Sequence, residues 1–514
     1  MTRALPDDGI RRVGVIDIGS NSVRFVTYEI HGVATTPTFN EKLLAGLGRD
    51  IAHTGRLFGE GVERTIKALV RFKALADAQG LNKILIVATA AVREARDGPD
   101  FVKRVKKETG LKVRVLSGEE EAYFAAMGVI NGDRRSNGVV ADLGGSSLEL
   151  IRVKDQTVSD GRTFALGPFA ALKDPAKPMA SRSLVRARLA DAKDHYALRG
   201  GKLYLVGGAW RNLAQIHNER TGYPLKILHN FEMRSQEALG LGKWASEDAV
   251  SDLLIWPGIN RRRAETLSYA GLVLVELIRA LKPETIIFSS AGLREGLLYD
   301  SLTATVKKRT PLHDACAHLA TGNEQGRDFG PGLFNWLKAI APHLPGCFED
   351  ENETRLRQAA CALVGIGKGL HPDHRADLVF EDVLYAPLAG LTHKERAYLA
   401  LMLYASFTAS STTPNDAAIN YHLMARERQY AMTWGAAMRA GSVIAARTPG
   451  ILKYFKLSFD AGTIKLKAKR GHEALLNRKS VLRLQKVASL SGYNLETNWV
   501  AAGQDDAADT DTDD

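Results

Sequence analysis

The stretch VGVIDIGSNSVRF, residues 13–25, decides the fold, because its pattern returns as VVADLGGSSLELI at residues 139–151. In each copy an apolar run reaches an aspartate, breaks at a glycine, passes through small polar residues and becomes apolar again. The matching residues of the two copies are Asp17 and Asp142, Gly19 and Gly144, and Ser22 and Ser147. Two apolar strands joined by a tight turn, present twice, predict a duplicated α/β unit.

The length of the chain, 514 residues, exceeds what one hydrophobic core supports and predicts two to four domains. The longest apolar segment, residues 269–281, contains Glu276 and is typical of a buried helix rather than a membrane span. The N-terminal residues lack an apolar signal core, so we expect a cytoplasmic protein that does not bind membranes. The three cysteines are widely spaced, which favours buried thiols over disulfides or a thiolate metal site.

The charge of the chain is distributed unevenly. The formal net charge is +11, yet residues 505–514 contain six aspartates and are typical of a disordered acidic tail. Without that tail the body of the chain carries about +17. A body of this charge attracts polyanions such as nucleic acid, anionic lipid or a phosphate polymer, although the charge could also serve solubility alone.

The order of predicted elements indicates an α/β first part and a helical second part. Strands are predicted at 13–30 (two strands), 83–93 (one strand running into a loop) and 112–117, and helices at 61–80 and 101–110. Two later segments, at 203–214 and 285–300, each predict a strand, a glycine turn and a helix. Helical patterns dominate from about residue 305, and residues 451–488 predict strands and a helix with a basic face.

The repeated glycine turns predict anion binding beside a metal ligand. Backbone N–H groups of a Gly-rich turn point into one concavity and bind phosphate without side-chain charge. A helix that begins at such a turn adds its N-terminal dipole. The aspartate beside each turn suits a divalent cation bound together with the phosphate. One such turn is a weak signal, but two matching copies followed by VGGAWRN and SAGLREG are a strong one.

These segments resemble the exopolyphosphatase/guanosine pentaphosphate phosphatase (Ppx/GppA) family of the actin–hexokinase–Hsp70 superfamily. The resemblance is carried by VGVIDIGSNSVRF, ATAAVREARDGPDF, VLSGEEEAYFAAMGV, VVADLGGSSLELI and SAGLREGLLYD, in that order. It implies duplicated ribonuclease H-like (actin-like ATPase) domains at 12–132 and 133–304. It further implies a helical, HD-like C-terminal domain with a small basic extension at 305–500.

The segment SGEEEA contains the candidate general base. Ser117 is a plausible N-cap whose capping box Glu120 completes, and Glu119 can interact with the helix dipole from the surface. Successive helical residues diverge by about 100°, so the three glutamates cannot share one site. The resemblance assigns the base to Glu121; taken alone, the glutamates could simply be favoured in a first helical turn.

A second glutamate, Glu149, follows the second turn. Strand alternation places it on the face of Ser147, either as an exposed edge residue or as an inward ligand. The resemblance favours the inward position, where Glu149 would orient the water or bind Mg²⁺ (or Mn²⁺) with Asp142. It also makes Arg93 a phosphate contact, although an exposed interdomain ion pair is the alternative.

The remaining site residues also follow from the resemblance. The substrate-binding set is Ser20, Asn21, Ser22, Arg93, Gly144, Gly145, Ser146, Ser147, Gly207 and Gly208. The metal-binding set is Asp17, Asp142 and Glu149, and the catalytic set is Glu121 and Glu149. For the basic extension, the expected polyanion-binding residues are Lys453, Lys456, Lys465, Lys467, Lys469 and Arg470.

The sequence departs from the family pattern at three places. Tyr123 stands where family members often carry an arginine, and Ala209 and Trp210 replace part of a Gly-Thr-rich turn. Val364 and Gly365 stand where an HD domain would carry its metal-binding His-Asp pair. We therefore expect the helical domain to bind and to support structure without catalysing a reaction.

The function expected from these residues is exopolyphosphatase activity, which releases orthophosphate from the end of inorganic polyphosphate. The alternative is hydrolysis of the 5′-phosphate of guanosine pentaphosphate (pppGpp), with (p)ppGpp as a further ligand. A sugar or acetate kinase needs an acceptor and an adenine pocket that no motif identifies. A structural actin-like protein would not need Glu121 and Glu149. The resemblance also leads us to expect a homodimer.

Overall fold

The computed structural model describes residues 10–81, 83–174, 177–247, 253–256, 261–320 and 324–499. The predicted acidic tail at 505–514 lies outside the described residues. The chain divides into two units, residues 1–311 and residues 312–514. Within the described residues, no helix combines the length and the apolar character that a membrane crossing requires.

The first unit contains two β-sheets built on the repeated motif. The five-stranded sheet has the order β3-β2-β1-β4-β5, and the six-stranded sheet has the order β10-β11-β9-β6-β7-β8. Their strands are β1 Arg11–Ile18, β2 Val23–His31, β3 Ala34–Leu43, β4 Lys83–Ala88, β5 Arg114–Val115, β6 Gly138–Leu143, β7 Leu148–Lys154, β8 Thr157–Phe164, β9 Lys202–Val206, β10 Phe231–Arg234 and β11 Thr285–Phe288.

The two sheets repeat one arrangement, which confirms the duplication. In the first, β1 pairs antiparallel with β2 and parallel with β4. In the second, β6 pairs antiparallel with β7 and parallel with β9. Asp17 lies opposite Arg24 across the first hairpin, and Asp142 lies opposite Glu149 across the second. Both aspartates therefore lie at the same end of equivalent strands.

Helices pack on both sheets of the first unit. Their bounds are Ile51–Thr54, Gly59–Ala78, Ala90–Glu94, Gly98–Thr109, Gly118–Gly132, Pro168–Ala171, Arg182–Arg188, Ala190–His195, Gly208–Thr221, Ser235–Glu247, Arg261–Leu281, Leu293–Asp300 and Ala304–Lys307. Helix Gly118–Gly132 contacts strands β6, β7 and β8 and helix Leu293–Asp300. Gly110 has a φ of 73° and ends the Gly98–Thr109 helix as predicted.

The segment 269–281, the C-terminal part of helix Arg261–Leu281, is mostly buried, as its sequence predicts. Its Glu276 is only 4% exposed, and the carboxylate accepts hydrogen bonds from Arg182 at 2.8 Å, Arg186 at 2.6 Å and Arg279 at 2.8 Å. A buried carboxylate requires partners of this kind. The three guanidinium groups explain how an acidic residue is accommodated in this mostly apolar segment.

Two predictions for the first unit are wrong in detail. Residues 83–93 do not run from a strand into a loop, because the Ala-rich residues after β4 form the short helix Ala90–Glu94. The predicted strand 112–117 is reduced to Arg114–Val115, because β5 is an edge strand that pairs with only two residues of β4.

The second unit is mostly helical and ends in a three-stranded sheet. Its helices are Pro311–Leu319, Glu324–Leu337, Asp350–Ala362, Pro372–Tyr385, His393–Ala405, Asp416–His422, Ala425–Ile444 and Arg478–Ser491. Its strands are β12 Phe455–Asp460, β13 Thr463–Ala468 and β14 Asn494–Thr497. The strands and helix predicted at 451–488 are confirmed, and β14 follows them.

The helical pattern of residues 415–447 corresponds to two helices, Asp416–His422 and Ala425–Ile444. The backbone N–H of Met424 donates to the Glu427 carboxylate at 2.9 Å, which caps the second helix. All three cysteines are free, as expected, and Cys316 and Cys361 are buried; the expectation of a buried thiol is wrong for Cys347, which is half-buried.

Candidate active site

A cavity of about 460 Å³ in the first unit brings the two repeated motifs together. The hydroxyl of Ser146 donates to that of Ser20 at 2.9 Å, which joins the two turns directly. Each turn is closed by the same bond, Gly19 N–H to Ser22 carbonyl at 3.0 Å and Gly144 N–H to Ser147 carbonyl at 2.9 Å. The matched turns thus have matched backbone geometry.

Most residues of the predicted site line this cavity. They are Asp17, Ser20, Asn21, Ser22, Glu121, Asp142, Gly144, Gly145, Ser147, Glu149, Gly207 and Gly208. Two predicted residues, Arg93 and Ser146, are not among the described residues that line it. Gly207 has a φ of 124°, and a Cβ there would lie 2.7 Å from the Leu143 carbonyl, so a glycine is required at this turn.

Glu121 lies in the first turn of helix Gly118–Gly132. The predicted capping box is confirmed, because Glu120 N–H donates to the Ser117 hydroxyl at 3.1 Å and Ser117 N–H donates to the Glu120 carboxylate at 2.8 Å. Glu119 is exposed, whereas Glu121 is 6% exposed. The helix therefore directs only the third glutamate into the cavity.

The environment of Glu121 raises the pKa of its carboxyl group towards neutrality. Burial raises the pKa of Glu121 to about 7, with the neighbouring charge of Asp142 acting in the same direction. Arg93 opposes this rise, since its guanidinium lies 2.9 Å from the Glu121 carboxylate. A carboxylate with a pKa near neutrality is suited to accept a proton from water.

Glu149 is the most deeply enclosed acid of the cavity. It is 4% exposed, and one of its oxygens, Oε1, is buried without a hydrogen-bond partner among the described residues. Burial and the negative charges of Glu121 and Asp142 raise the pKa of Glu149 well above its ordinary value. Glu149 therefore points inward and is not an exposed edge residue.

The carboxyl groups of the two aspartates also line the cavity. Burial raises the pKa of Asp17, and burial together with the charge of Asp17 raises that of Asp142 to about 6. Across the described part of the chain, no three Asp, Glu, His or Cys side chains form a group that could hold a metal by themselves. The oxygen donors and the unpartnered Oε1 of Glu149 nevertheless suit a hard divalent cation completed by other oxygen ligands.

Sequence reasoning missed a group of cationic residues in the same cavity. Arg24, Arg211, Arg294 and Lys42 line it, and Nη1 of Arg294 is buried without a described partner. Burial and the charges of Arg294 and Arg211 lower the pKa of Arg24 to about 10. Arg294 belongs to the SAGLREG segment, so the motif itself was the available signal. Mutual repulsion among these cations favours binding of an anion.

The departures from the family pattern have local structural roles. The Tyr123 hydroxyl donates to the Asp300 carboxylate at 3.0 Å. Trp210 is fully buried, and its indole N–H donates to the Ala270 carbonyl at 3.1 Å. Val364 is fully buried in the second unit. Tyr123 thus pairs at a half-buried position, whereas Trp210 and Val364 belong to the interiors of their own units.

The predicted polyanion-binding residues lie on and beside the small sheet of the second unit. Lys453, Lys456, Lys467, Lys469 and Arg470 are exposed, and Lys465 is half-buried. Lys465 lies 2.8 Å from Asp460 and 3.6 Å from Glu496, and Lys467 lies 3.3 Å from Glu496. Acidic neighbours thus offset part of the basic face, chiefly at Lys465.

Comparison with known proteins identifies the class of this chain. The pattern of the Ppx/GppA phosphatase family matches residues 26–305, and that of the C-terminal domain of exopolyphosphatases matches residues 329–497. The chain therefore belongs to the Ppx/GppA phosphatase family. The predicted family, the mixed α/β fold with a helical C-terminal region and the hydrolase class are confirmed.

Particular relatives include two mycobacterial enzymes. Exopolyphosphatase 1 of Mycobacterium tuberculosis is 26% identical over 327 residues, which cover 60% of this chain and 93% of that protein. Exopolyphosphatase 1 of Mycobacterium leprae is 27% identical over 340 residues, which cover 62% and 99%. The crystal structure of the Aquifex aeolicus family member matches with a TM-score of 0.51 at 24% identity, over 59% of this chain and 100% of that one, and shows the shared fold.

Proposed function

We propose that this protein is an exopolyphosphatase that hydrolyses the terminal phosphoanhydride bond of inorganic polyphosphate and releases orthophosphate. The observation that carries the proposal is the buried Glu121 carboxylate, which faces a cavity built from two glycine turns and a cluster of arginines. Hydrolysis of a phosphoanhydride requires a positioned water, a base and cationic stabilisation of the phosphoryl oxygens. The cavity contains residues of each required type.

Glu121 would accept the proton of the attacking water. Its burial beside Asp142 and Glu149 gives it a higher basicity than an exposed glutamate has, which supports this role. Glu149 would orient the same water or hold the metal, because its free Oε1 has a hydrogen-bonding or coordination position to fill. The backbone N–H groups of the turns and the guanidinium groups of Arg211 and Arg294 would bind phosphoryl oxygens.

Asp17, Asp142 and Glu149 would hold Mg²⁺ or Mn²⁺ jointly with substrate oxygens. The bound ion would neutralise charge on the phosphoryl group that is transferred. Three buried carboxyl groups with raised pKa values gain from a neighbouring cation, because it favours their charged forms. The residues present therefore fit such an ion.

The lining of the cavity supports polyphosphate over a nucleotide. None of the described residues that line it is aromatic. Protein sites that recognise a base commonly stack it on an aromatic side chain. A cavity of turns, arginines and carboxylates suits a chain of phosphates better, and the relatives named exopolyphosphatase 1 agree with this choice.

The C-terminal unit would hold the distal part of a long chain. Lys456, Lys469 and Arg470 are exposed and have no ion pair with any described residue, so they remain available to a polyanion. Each phosphate neutralised adds affinity through counterion release. The HD-like character of this unit, the homodimer, (p)ppGpp binding and the cytoplasmic location stay predictions.

The test incubates the full chain with long polyphosphate, with pppGpp and with ATP plus glucose, each with Mg²⁺, and measures orthophosphate release in every mixture and consumption of ATP in the last. We expect release from polyphosphate. Glu121→Gln should keep polyphosphate binding and lose about 10²–10⁴-fold in turnover, the usual contribution of a general base. Glu119→Gln is the matched control, since this exposed glutamate lies in the same helical turn and should retain full activity.

Each other outcome identifies a different function. Release from pppGpp with inert polyphosphate would replace the proposal with the pppGpp phosphohydrolase. Glucose-dependent consumption of ATP would indicate a kinase. A Glu121→Gln protein that turns over within a few-fold of wild type would transfer the base assignment to Glu149.

A further inference from the structure

The side chain of Arg93 points to the carboxylate of Glu121. Arg93 lies on the short helix Ala90–Glu94, which follows strand β4. Its Nη1 donates to the Leu116 carbonyl at 2.8 Å and to Oε2 of Glu121 at 2.9 Å. The arginine is 22% exposed at its side chain and is not among the described residues that line the cavity.

This pair of bonds fixes the carboxylate relative to the start of its own helix. Leu116 directly precedes Ser117, the N-cap that the capping box holds in place. One guanidinium nitrogen therefore joins the backbone before the helix to a side chain in its first turn.

We propose that Arg93 is a positioning residue, which orients the Glu121 carboxylate towards the attacking water and does not contact the phosphate chain. The inference rests on the proposed hydrolysis and assigns Arg93 a different role from the phosphate contact that the family resemblance implies. A planar guanidinium suits this task, because it holds a carboxylate oxygen in a defined direction. Phosphate binding then belongs to the arginines that do line the cavity, Arg24, Arg211 and Arg294.

A double-mutant cycle separates the two roles. In the wild-type background, Arg93→Ala should lower kcat about 10- to 100-fold and leave KM for polyphosphate within about two-fold, since orientation is lost and substrate contacts remain. In the Glu121→Gln background, the same substitution should cost no more than about two-fold, because the group that Arg93 orients is already inactive. Single-turnover assays at high enzyme concentration give the residual rates.

Substrate binding gives a readout that does not depend on turnover. The Kd of polyphosphate for Glu121→Gln and for the double variant with Arg93→Ala should agree within two-fold. Arg24→Ala is the contrasting variant, because Arg24 lines the cavity and its removal should weaken binding in both backgrounds. Arg93→Lys keeps the charge without the planar fork and should recover part of kcat, and it replaces Arg93→Ala if that variant unfolds.

Two results would overturn the inference. One is a tenfold weaker binding of polyphosphate on loss of Arg93. The other is a loss of rate in the Glu121→Gln background as large as in wild type. Failure of the proposed function would give a different result from failure of this inference. In that case neither the wild type nor any variant at position 93 would release orthophosphate from polyphosphate.

Discussion

Replacing Gly296 with alanine should disturb both stability and catalysis, because this glycine allows two functional helices to touch. Helix Gly118–Gly132 begins with the turn that carries Glu121, and helix Leu293–Asp300 begins with the cavity residue Arg294. A Cβ at Gly296 would lie 1.8 Å from the Phe124 carbonyl oxygen and 2.7 Å from its carbon. Real Cβ atoms essentially never approach another heavy atom within 3.0 Å.

The size of the effect follows from this overlap. The two helices must separate by roughly 1 Å or more, and forcing one extra carbon into a packed interior typically costs about 1–3 kcal/mol. Alanine regains up to about 1 kcal/mol through its higher helix propensity. A net loss of up to about 2 kcal/mol corresponds to a fall in Tm of roughly 3 °C for a unit that spans residues 1–311. A misplacement of about 1 Å between catalytic groups can lower kcat about 100-fold.

Thermal unfolding and orthophosphate release from polyphosphate measure the two effects. Gly240→Ala is the matched control, since this glycine also lies within a helix and a Cβ there would meet nothing within 4 Å. The control should be at least as stable as wild type and fully active. If Gly296→Ala matched the control in both Tm and kcat, the close contact between the two helices would be refuted as a determinant of the site.

Three further predictions concern protons, metal and the C-terminal sheet. Burial raises the pKa of Glu121 from 4.5 to about 7, so the free energy of unfolding of the wild type falls by up to about 3 kcal/mol as pH rises through that window. Glu121→Gln lacks this titration, so in urea titrations its free energy of unfolding should gain on that of the wild type between pH 5 and pH 8. A difference between the two proteins that does not change with pH would contradict this prediction. EDTA should abolish orthophosphate release reversibly without changing the circular dichroism spectrum, whereas full activity in chelator would exclude the metal. Replacing Lys456, Lys469 and Arg470 with serine should weaken the binding of long polyphosphate and flatten its dependence on salt. Lys465→Ser removes a charge that is already paired with Asp460 and should change both quantities little. Equal effects of the two changes would refute the distinction between unpaired and paired basic residues.

The sequence permits prediction of the elements that short-range patterns define. The two DxGxxS turns, the Ser117 capping box and the helix ended by Gly110 each depend on residues within a few positions of one another. Strand 112–117 was overestimated because the length of an edge strand depends on its partner, and β4 offers only two pairing residues there. Local patterns carry no information about that partner.

The direction of long side chains is harder to predict. Arg93 could be identified as a residue of the site, but its sequence neighbours do not reveal that the guanidinium bonds to Leu116 and Glu121. Arg24 and Arg211 were missed for a related reason. Both lie within the quoted segments VGVIDIGSNSVRF and VGGAWRN, but only the folded structure shows that they line the cavity.

The duplication also explains how one motif supplies opposite charges to one cavity. Asp17 and Asp142 occupy the same position of the repeated hairpin, and the residues directly opposite them across the strands are Arg24 and Glu149. The backbone of the two hairpins is thus equivalent, but the residue opposite the aspartate is a cation in the first hairpin and an acid in the second. Hydrolysis needs this asymmetry, since phosphoryl oxygens are stabilised by positive charge and the attacking water requires a base and its supporting carboxylate. Under the proposed hydrolysis, divergence at this one cross-strand position would give the first hairpin a cation for the phosphoryl oxygens and the second hairpin a carboxylate that supports the general base Glu121 or holds the metal.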